Sequence, residues 1–173
     1  MLLEKKSKLL SYILRHNPSK YGVQLEDGGW ASSDAVLNAL NIGWKELKEI
    51  VSTDSKGRYS FSEDYLKIRA NQGHSTNINM GFIERKAPDF LYHGTSEQSY
   101  ESIKFFGICK MSRQFVHLTE SVETASSTGK RHGKLVLLKV NCKKMMEDGF
   151  VFYCSDNNVW LTDHVPNKYL EAE

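Results

Sequence analysis

The sequence lacks paired cysteines, long apolar segments and a strong net charge. Its three cysteines, Cys109, Cys142 and Cys154, are far apart and form no CxxC pair, so a disulfide framework is not expected and a reducing compartment is predicted. No apolar run reaches membrane-spanning length, and the charged start MLLEKKSKLL does not fit a signal peptide. We therefore predict a cytoplasmic protein with no membrane contact. We also expect a monomer. The formal net charge is only +2, so any nucleic-acid contact must use local patches.

Familiar catalytic signatures are also missing. The six histidines show neither HExxH nor HxxxH spacing, and no carboxylate pairs with Asp27 or Asp163 at ligand-like spacing, so no metal site is expected. There is no Walker P-loop, no GxGxxG and no nucleophile elbow. A Ser/His/Asp triad built from distant residues stays open, because sequence alone cannot place its members.

The first part of the chain predicts three helices followed by a β-hairpin. Apolar periodicity places helices at about residues 4–15, 34–40 and 44–51, the second capped by Ser32 or Ser33. Alternating residues 58–62 and 65–69 predict the hairpin. This is the order of a winged helix. We predict a winged-helix lobe over residues 1–75 and a polar linker over 76–89.

The pattern after the linker predicts a second lobe over residues 90–173. Strands are predicted at 90–93, 115–118 and 135–140 (the last one buried), with a strand pair at 150–154 and 159–161. Helices are predicted from Gln98 to Phe106 and from the Ser121 cap to Gly129. The whole chain is thus expected to be an α+β protein with a mixed, strand-dominated second lobe.

Arginine and histidine gather where predicted elements end. Arg15 and His16 close the first helix, Arg69 opens the stretch RANQGHS, and Arg131 lies in GKRHGK. Each feature alone fits an ordinary role, such as complementing a helix dipole. Together they place several guanidiniums at loops, where binding residues concentrate, and a guanidinium fork suits phosphate oxygens. We predict that two or three arginines hold a phosphate dianion without a metal.

The second lobe contains a compact polar turn, Tyr92-His93-Gly94-Thr95. A glycine after the histidine would let a ligand approach the backbone closely, and Thr95 adds a hydroxyl. His117 alternates with Val116 and Leu118, so its side chain is expected on the other side of the strand. For His117 a purely structural role stays open.

Seven motifs, in this order, resemble the NAD-dependent RNA 2′-phosphotransferases over almost the whole chain. They are LSYILRHNP (10–18), DGGW (27–30), IRANQGHS (68–75), LYHGT (91–95), GICKMSRQFVHLT (107–119), GKRHGK (129–134) and NNVWLTDHVP (157–166). The resemblance implies an N-terminal winged-helix lobe for RNA and a C-terminal ADP-ribosyltransferase-like lobe for NAD. Asn158 stands where the family has glycine, and asparagine tolerates the left-handed backbone that such a turn needs.

The resemblance also implies roles for individual residues. The catalytic set falls on Arg15, His16, Arg69 and Arg131. The implied cofactor-binding residues are His93, Gly94, Thr95, Arg113 and His117. Three residues of the RANQGHS segment are expected at the substrate phosphate or neighbouring RNA: Gln72, His74 and Ser75.

The implied reaction has two steps and consumes NAD, with no metal. The RNA 2′-phosphate displaces nicotinamide from NAD. The neighbouring ribose hydroxyl of the attached ADP-ribose then attacks the phosphorus, and the RNA 2′-oxygen leaves. The products are 2′-OH RNA, ADP-ribose 1″,2″-cyclic phosphate and nicotinamide. The expected partner is an RNA with an internal 2′-phosphate, such as a tRNA after splicing. Two alternatives stay open: an ADP-ribosyltransferase that caps a terminal nucleic-acid phosphate or modifies a protein, and a non-enzymatic winged-helix RNA binder.

Overall fold

The computed structural model describes residues 2–173, which divide into two compact units. The first unit extends to Gly81 and the second is Phe82–Glu173. Within the described residues there are six α-helices, together with small antiparallel sheets of two or three strands. The predicted α+β class is therefore confirmed. Every helix in residues 2–173 is too short or too polar to cross a membrane.

The first unit combines three helices with one three-stranded sheet. In chain order its elements are α1 (Leu2–Arg15), β1 (Trp30–Ser32), α2 (Ser33–Leu40), α3 (Trp44–Ser52), β2 (Tyr59–Phe61) and β3 (Lys67–Ala70). The sheet order is β1-β3-β2, with both pairs antiparallel. The three predicted helices and the hairpin of β2 and β3 are confirmed.

The helices form where their apolar residues repeat at helical spacing. On α1, Leu10, Ile13 and Leu14 are fully buried and face α2, α3 and the sheet. The start of α2 is fixed by the Ser32 hydroxyl, which accepts a hydrogen bond from the Ala35 N–H at 3.4 Å. This cap agrees with the sequence prediction.

The strand β1 was not predicted from the sequence. It is only three residues long, too short to show alternation, and it exists because β3 offers it a free edge. Trp30 pairs with Arg69 in this register. The turn before it, Asp27–Gly29, contains two glycines with positive φ, Gly28 at 80° and Gly29 at 74°. The pairing therefore brings the DGGW motif beside Arg69.

The second unit is built from strands with helices between them. Its elements are β4 (Phe90–Ser96), α4 (Glu97–Phe106), β5 (Ile108–Cys109), β6 (Val116–Leu118), α5 (Val122–Gly129), β7 (Leu135–Asn141), α6 (Cys142–Glu147), β8 (Tyr153–Cys154), β9 (Trp160–Thr162), β10 (His164–Val165) and β11 (Leu170–Ala172). Three antiparallel sheets result, ordered β11-β7-β4, β6-β9-β8 and β10-β5. Leu91, Leu138 and Phe152 lie in the core of this unit.

Most predicted elements of this unit are present, with some differences. β7 is less buried than predicted, since only Leu138 and Val140 are fully covered. The predicted strand at 150–154 shortens to β8, because residues 151 and 152 bond elsewhere: Thr162 Oγ1 donates to the Val151 carbonyl and the Arg85 N–H donates to the Phe152 carbonyl. The elements α6, β5, β10 and β11 were not predicted, and the three strands are only two or three residues long.

A contact between two glycines fixes α5 against β4. A Cβ atom on Gly94 would lie 1.8 Å from the Ala125 carbonyl oxygen, and one on Gly129 would lie 2.9 Å from the Gly94 carbonyl carbon. Only glycine allows the two backbones to come this close. The contact sets the end of α5, from which the GKRHGK segment continues.

We predict that Gly94→Ala strongly destabilises the protein, because the new methyl group collides with backbone that cannot move without displacing α5. Overpacking of this kind costs about 1–3 kcal/mol or more. Urea unfolding should show the loss. The matched control is Gly43→Ala, since a Cβ there would meet nothing within 4 Å; equal midpoints for the two variants would contradict the packing role of Gly94.

Candidate functional site

The loop RANQGHS packs against the C-terminal end of α1. Arg15 is the last residue of that helix and is only 9% exposed. The Ser75 N–H donates to the Arg15 carbonyl at 2.9 Å, and the Ser75 hydroxyl is hydrogen-bonded to His16 Nδ1 at 2.9 Å. A Cβ on Gly73, whose φ is +91°, would lie 3.4 Å from the Arg15 guanidinium carbon. The positive φ of Gly73 lets the loop reach Arg15.

Arg69 lies on β3 and is held from two sides. Its guanidinium carbon is 4.5 Å from the centroid of the Trp30 ring, and its Nη1 donates to the Gly28 carbonyl at 3.3 Å. Both partners belong to the DGGW motif. The contacts give this long side chain a defined orientation.

His74 lies buried among these cationic residues. It is 2% exposed, and within residues 2–173 neither of its ring nitrogens has a hydrogen-bond partner. Burial, followed by the charges of Arg15, His16 and Arg69, lowers its pKa to about 4. His74 is therefore neutral at pH 7, and three basic side chains lie close enough to influence it.

The other residues of the loop divide between support and exposure. Asn71 supports the loop, because its Nδ2 donates to the Gly57 carbonyl at 2.8 Å and its N–H donates to the Arg58 carbonyl. Gln72 is half-buried. The first unit thus brings together five of the predicted residues: Arg15, His16, Arg69, His74 and Ser75.

A cavity of about 410 Å³ lies in the second unit, between β4, α4, β6 and the loop before β6. This size is typical of small-molecule sites. Four of the five predicted cofactor residues line it: His93, Thr95, Arg113 and His117. The fifth, Gly94, is in contact with α5 instead. Two hydroxyl residues that the sequence did not single out, Ser99 and Ser102, also line the cavity; they are three residues apart on α4.

Hydrogen bonding and burial define the chemistry of this cavity. His93 Nδ1 lies 3.0 Å from the His117 carbonyl oxygen, which can only accept, so Nδ1 carries the proton. Burial lowers the pKa of His93, the bond to His117 opposes this, and the Arg113 charge adds to the lowering. Burial also lowers the pKa of Arg113, although an arginine stays charged. The cavity thus combines a neutral imidazole, hydroxyls and one guanidinium.

Arg131 and Asn158 lie in turns of the second unit. Arg131 is exposed, two residues after α5, and its N–H donates to the Thr128 carbonyl at 3.3 Å. Asn158 has a φ of 58°, which confirms that this position needs a residue tolerant of the left-handed region. Among residues 2–173 there is no cluster of three or more histidine, cysteine or acidic side chains that could hold a metal.

Comparison with known proteins agrees with the motifs. Residues 3–164 match the model of the family described as "RNA 2'-phosphotransferase, Tpt1 / KptA family". The chain belongs to this family. Relatives named "Probable RNA 2'-phosphotransferase" include one from Trichormus variabilis, 46% identical over 95% of this chain and 93% of its own length. A relative from Nostoc punctiforme is 44% identical over 98% of this chain and 96% of its own length. One from Fusobacterium nucleatum is 42% identical over 96% of this chain and 97% of its own length.

The family membership confirms the resemblance found in the sequence. It also confirms that the protein is an enzyme, an RNA 2′-phosphotransferase. The roles of single residues do not follow from a family match and remain predictions.

We predict that His74 makes the protein less stable in mild acid. The unfolded histidine takes up a proton near its ordinary pKa of 6.5, whereas the folded one does so only at about 4. Stability is therefore complete above pH 6.5 and falls as the pH drops towards 4, by up to about 3 kcal/mol. Urea unfolding at pH 7 and pH 5 should show this fall in the wild type and a smaller one in His74→Gln. Identical falls in both proteins would rule out the buried, neutral His74.

Proposed function

We propose that this RNA 2′-phosphotransferase removes an internal 2′-phosphate from RNA by transferring it to NAD. The products are 2′-OH RNA, ADP-ribose 1″,2″-cyclic phosphate and nicotinamide. The observation that carries the proposal is the cluster of Arg15, His16 and Arg69 around a neutral histidine, on a chain whose other unit has a cavity lined by His93 and Arg113. The cluster is suited to a phosphate dianion, and the cavity is suited to a cofactor.

We propose that the first unit is a winged-helix lobe that binds RNA, and that the second is ADP-ribosyltransferase-like and binds NAD. The order of α1, α2, α3 and the β2–β3 hairpin supports the first part. As predicted from the sequence, we propose that residues 1–75 and 90–173 form the two lobes and that residues 76–89 link them. We expect a cytoplasmic monomer acting on tRNA, with residues Gln72, His74 and Ser75 near the substrate phosphate or the adjoining RNA.

Arg15 and Arg69 are proposed to hold the substrate phosphate. Guanidiniums bind phosphate oxygens in pairs of parallel hydrogen bonds, and positive charge placed in advance stabilises the charge that develops during phosphoryl transfer. The nucleophile is a dianion, so it needs positioning more than deprotonation. Arg131 belongs to the proposed catalytic set through its motif, GKRHGK.

His16 is proposed to contact the phosphate or to transfer a proton at the 2′-oxygen when it leaves. Its hydrogen bond to Ser75 engages Nδ1 and so fixes the plane of the imidazole. A proton donor or acceptor works only from a defined position. Ser75 would therefore serve the reaction by orienting His16.

The cavity of the second unit suits NAD. A half-buried neutral imidazole and the hydroxyls of Thr95, Ser99 and Ser102 can bond ribose hydroxyls, and the Arg113 guanidinium can pair with a pyrophosphate. His93 and His117 would bind and orient the cofactor, while Gly94 would keep β4 in place beside it. When bound, NAD supplies the electrophilic ribose carbon and its own leaving group.

The decisive experiment incubates the protein with NAD and an RNA that carries one internal 2′-phosphate, followed by product analysis. We expect 2′-OH RNA and ADP-ribose 1″,2″-cyclic phosphate. The reaction should stop without NAD and continue in excess EDTA, because arginines supply the positive charge. ADP-ribose left on the RNA would indicate a capping transferase, and activity that needs metal but not NAD would indicate a phosphatase; either result would refute the proposal.

We predict that Arg69→Lys is nearly as damaging as Arg69→Ala, with single-turnover rates lowered about a hundredfold or more. Lysine keeps the charge but loses the planar fork and the defined orientation between Trp30 and Gly28. The matched control is Arg58→Lys, on an arginine of the same unit that is paired with Asp54. A wild-type rate for Arg69→Lys would exclude a bidentate role.

We predict that His93→Ala weakens the use of NAD more than the binding of RNA. The imidazole lines the cavity of the second unit, and one lost hydrogen bond to a cofactor group costs about 1–3 kcal/mol. We expect the KM for NAD to rise about tenfold or more, with RNA affinity unchanged. His132→Ala, on an exposed histidine, is the control. An unchanged dependence of the rate on NAD would remove His93 from the site.

A further inference from the structure

Trp30 contacts a proposed catalytic residue without itself belonging to the set of substrate or cofactor residues. Its ring centroid is 4.5 Å from the Arg69 guanidinium carbon. The two residues are direct partners in the β1–β3 register, so the backbone of the sheet fixes their separation. The contact is thus part of the fold and does not depend on a chance rotamer of a surface side chain.

The turn before Trp30 completes the contact. A Cβ on Gly28 would lie 3.0 Å from Trp30 Cδ1 and 3.7 Å from Arg69 Nη1, so glycine leaves the space that the indole and the guanidinium share. The Gly28 carbonyl accepts from Arg69 Nη1, and the Gly28 N–H donates to the Asn79 carbonyl at 2.7 Å. The turn is therefore anchored. Its Gly28 carbonyl binds one edge of the Arg69 guanidinium, and the Trp30 ring contacts the face of the same group.

An aromatic ring is an unusual support for an arginine that must bind an anion. A carboxylate would fix the guanidinium equally well, but it would occupy two N–H donors and cancel the charge. The indole attracts the cation through its π-electrons and accepts no conventional hydrogen bond. The contact with the indole therefore orients Arg69 without cancelling its positive charge.

We propose that Trp30 is a positioning residue for phosphate transfer: its indole holds Arg69 in the orientation in which Arg69 meets the substrate phosphate. This inference rests on the proposed role of Arg69. It assigns a function to the tryptophan of the DGGW motif, and it makes the aromatic face, rather than the bulk of the side chain, the property that matters.

The test compares Trp30→Phe with Trp30→Leu in single-turnover reactions with NAD and 2′-phosphorylated RNA. Phenylalanine keeps an aromatic face and leucine does not. We expect Trp30→Leu to lower the rate of the chemical step on the order of tenfold, equivalent to about 1.4 kcal/mol, while RNA affinity changes less. Trp30→Phe should recover most of the rate. Equal rates for the two variants would overturn the proposal.

The matched control is Trp44→Leu, the same substitution at a tryptophan that pairs with Lys48 elsewhere in the first unit. It should leave the rate unchanged, and a loss equal to that of Trp30→Leu would overturn the proposal by showing a general effect of removing tryptophan. In an Arg69→Lys background, Trp30→Leu should add little further loss, because the fork that Trp30 orients is already gone. Full additivity of the two losses would show that Trp30 acts on something other than Arg69.

A spectroscopic readout separates this inference from the function itself. The ring current of the aromatic residue at position 30 should shift the side-chain NMR signals of Arg69 upfield in the wild type and in Trp30→Phe. No such shift is expected in Trp30→Leu. Absence of this shift in the wild type would overturn the proposal whatever the activity.

Activity measurements distinguish failure of this inference from failure of the proposed role of Arg69. If Arg69→Ala kept full activity, the proposed function of Arg69 would fail. If Arg69→Ala lost activity while Trp30→Leu kept it, only the role of Trp30 would fail.

Discussion

Repulsion between like charges is the constraint on which the first unit depends. Arg15, His16 and Arg69 all lower the pKa of the buried His74, so their charges act on one small volume. Neutral groups orient two of these side chains: the ring of Trp30 and the carbonyl of Gly28 contact Arg69, and the hydroxyl of Ser75 is hydrogen-bonded to His16. Such contacts orient a side chain without cancelling its charge, which suits the phosphate that we propose to bind there.

Close approach of backbones shapes both units in a similar way. In the first, Gly28 leaves room for the indole and the guanidinium, and Gly73 lets the RANQGHS loop reach Arg15. In the second, Gly94 and Gly129 bring α5 against β4. The sequence predicted a turn at YHGT with room for a ligand at its glycine. This was wrong, because these residues continue strand β4, and the group that comes close to Gly94 is the Ala125 carbonyl. The residues on either side of it, His93 and Thr95, line the cavity.

Local signals in the sequence were enough to predict the longer elements and the motif residues. The buried stripe on α1, the serine caps of α2 and α5 and the β2–β3 hairpin all depend on neighbours within a few residues. Short strands such as β1, β5 and β11 could not be predicted, because distant partners create them. Trp30 was missed for the same reason: only the β1–β3 register places it beside Arg69. Ser99 and Ser102 were missed because serine on an exposed helix is common.

The two histidines whose pKa is lowered, His74 and His93, explain why arginine carries the positive charge. Burial lowers the pKa of both His74 and His93, so neither imidazole supplies a cation at neutral pH. A lysine in such surroundings would also tend to lose its proton, whereas a guanidinium keeps it. Positive charge that persists close to buried groups therefore requires arginine. The neutral histidines then contribute what arginine cannot, a hydrogen-bond acceptor beside a cation, and each unit combines the two side chains for that reason.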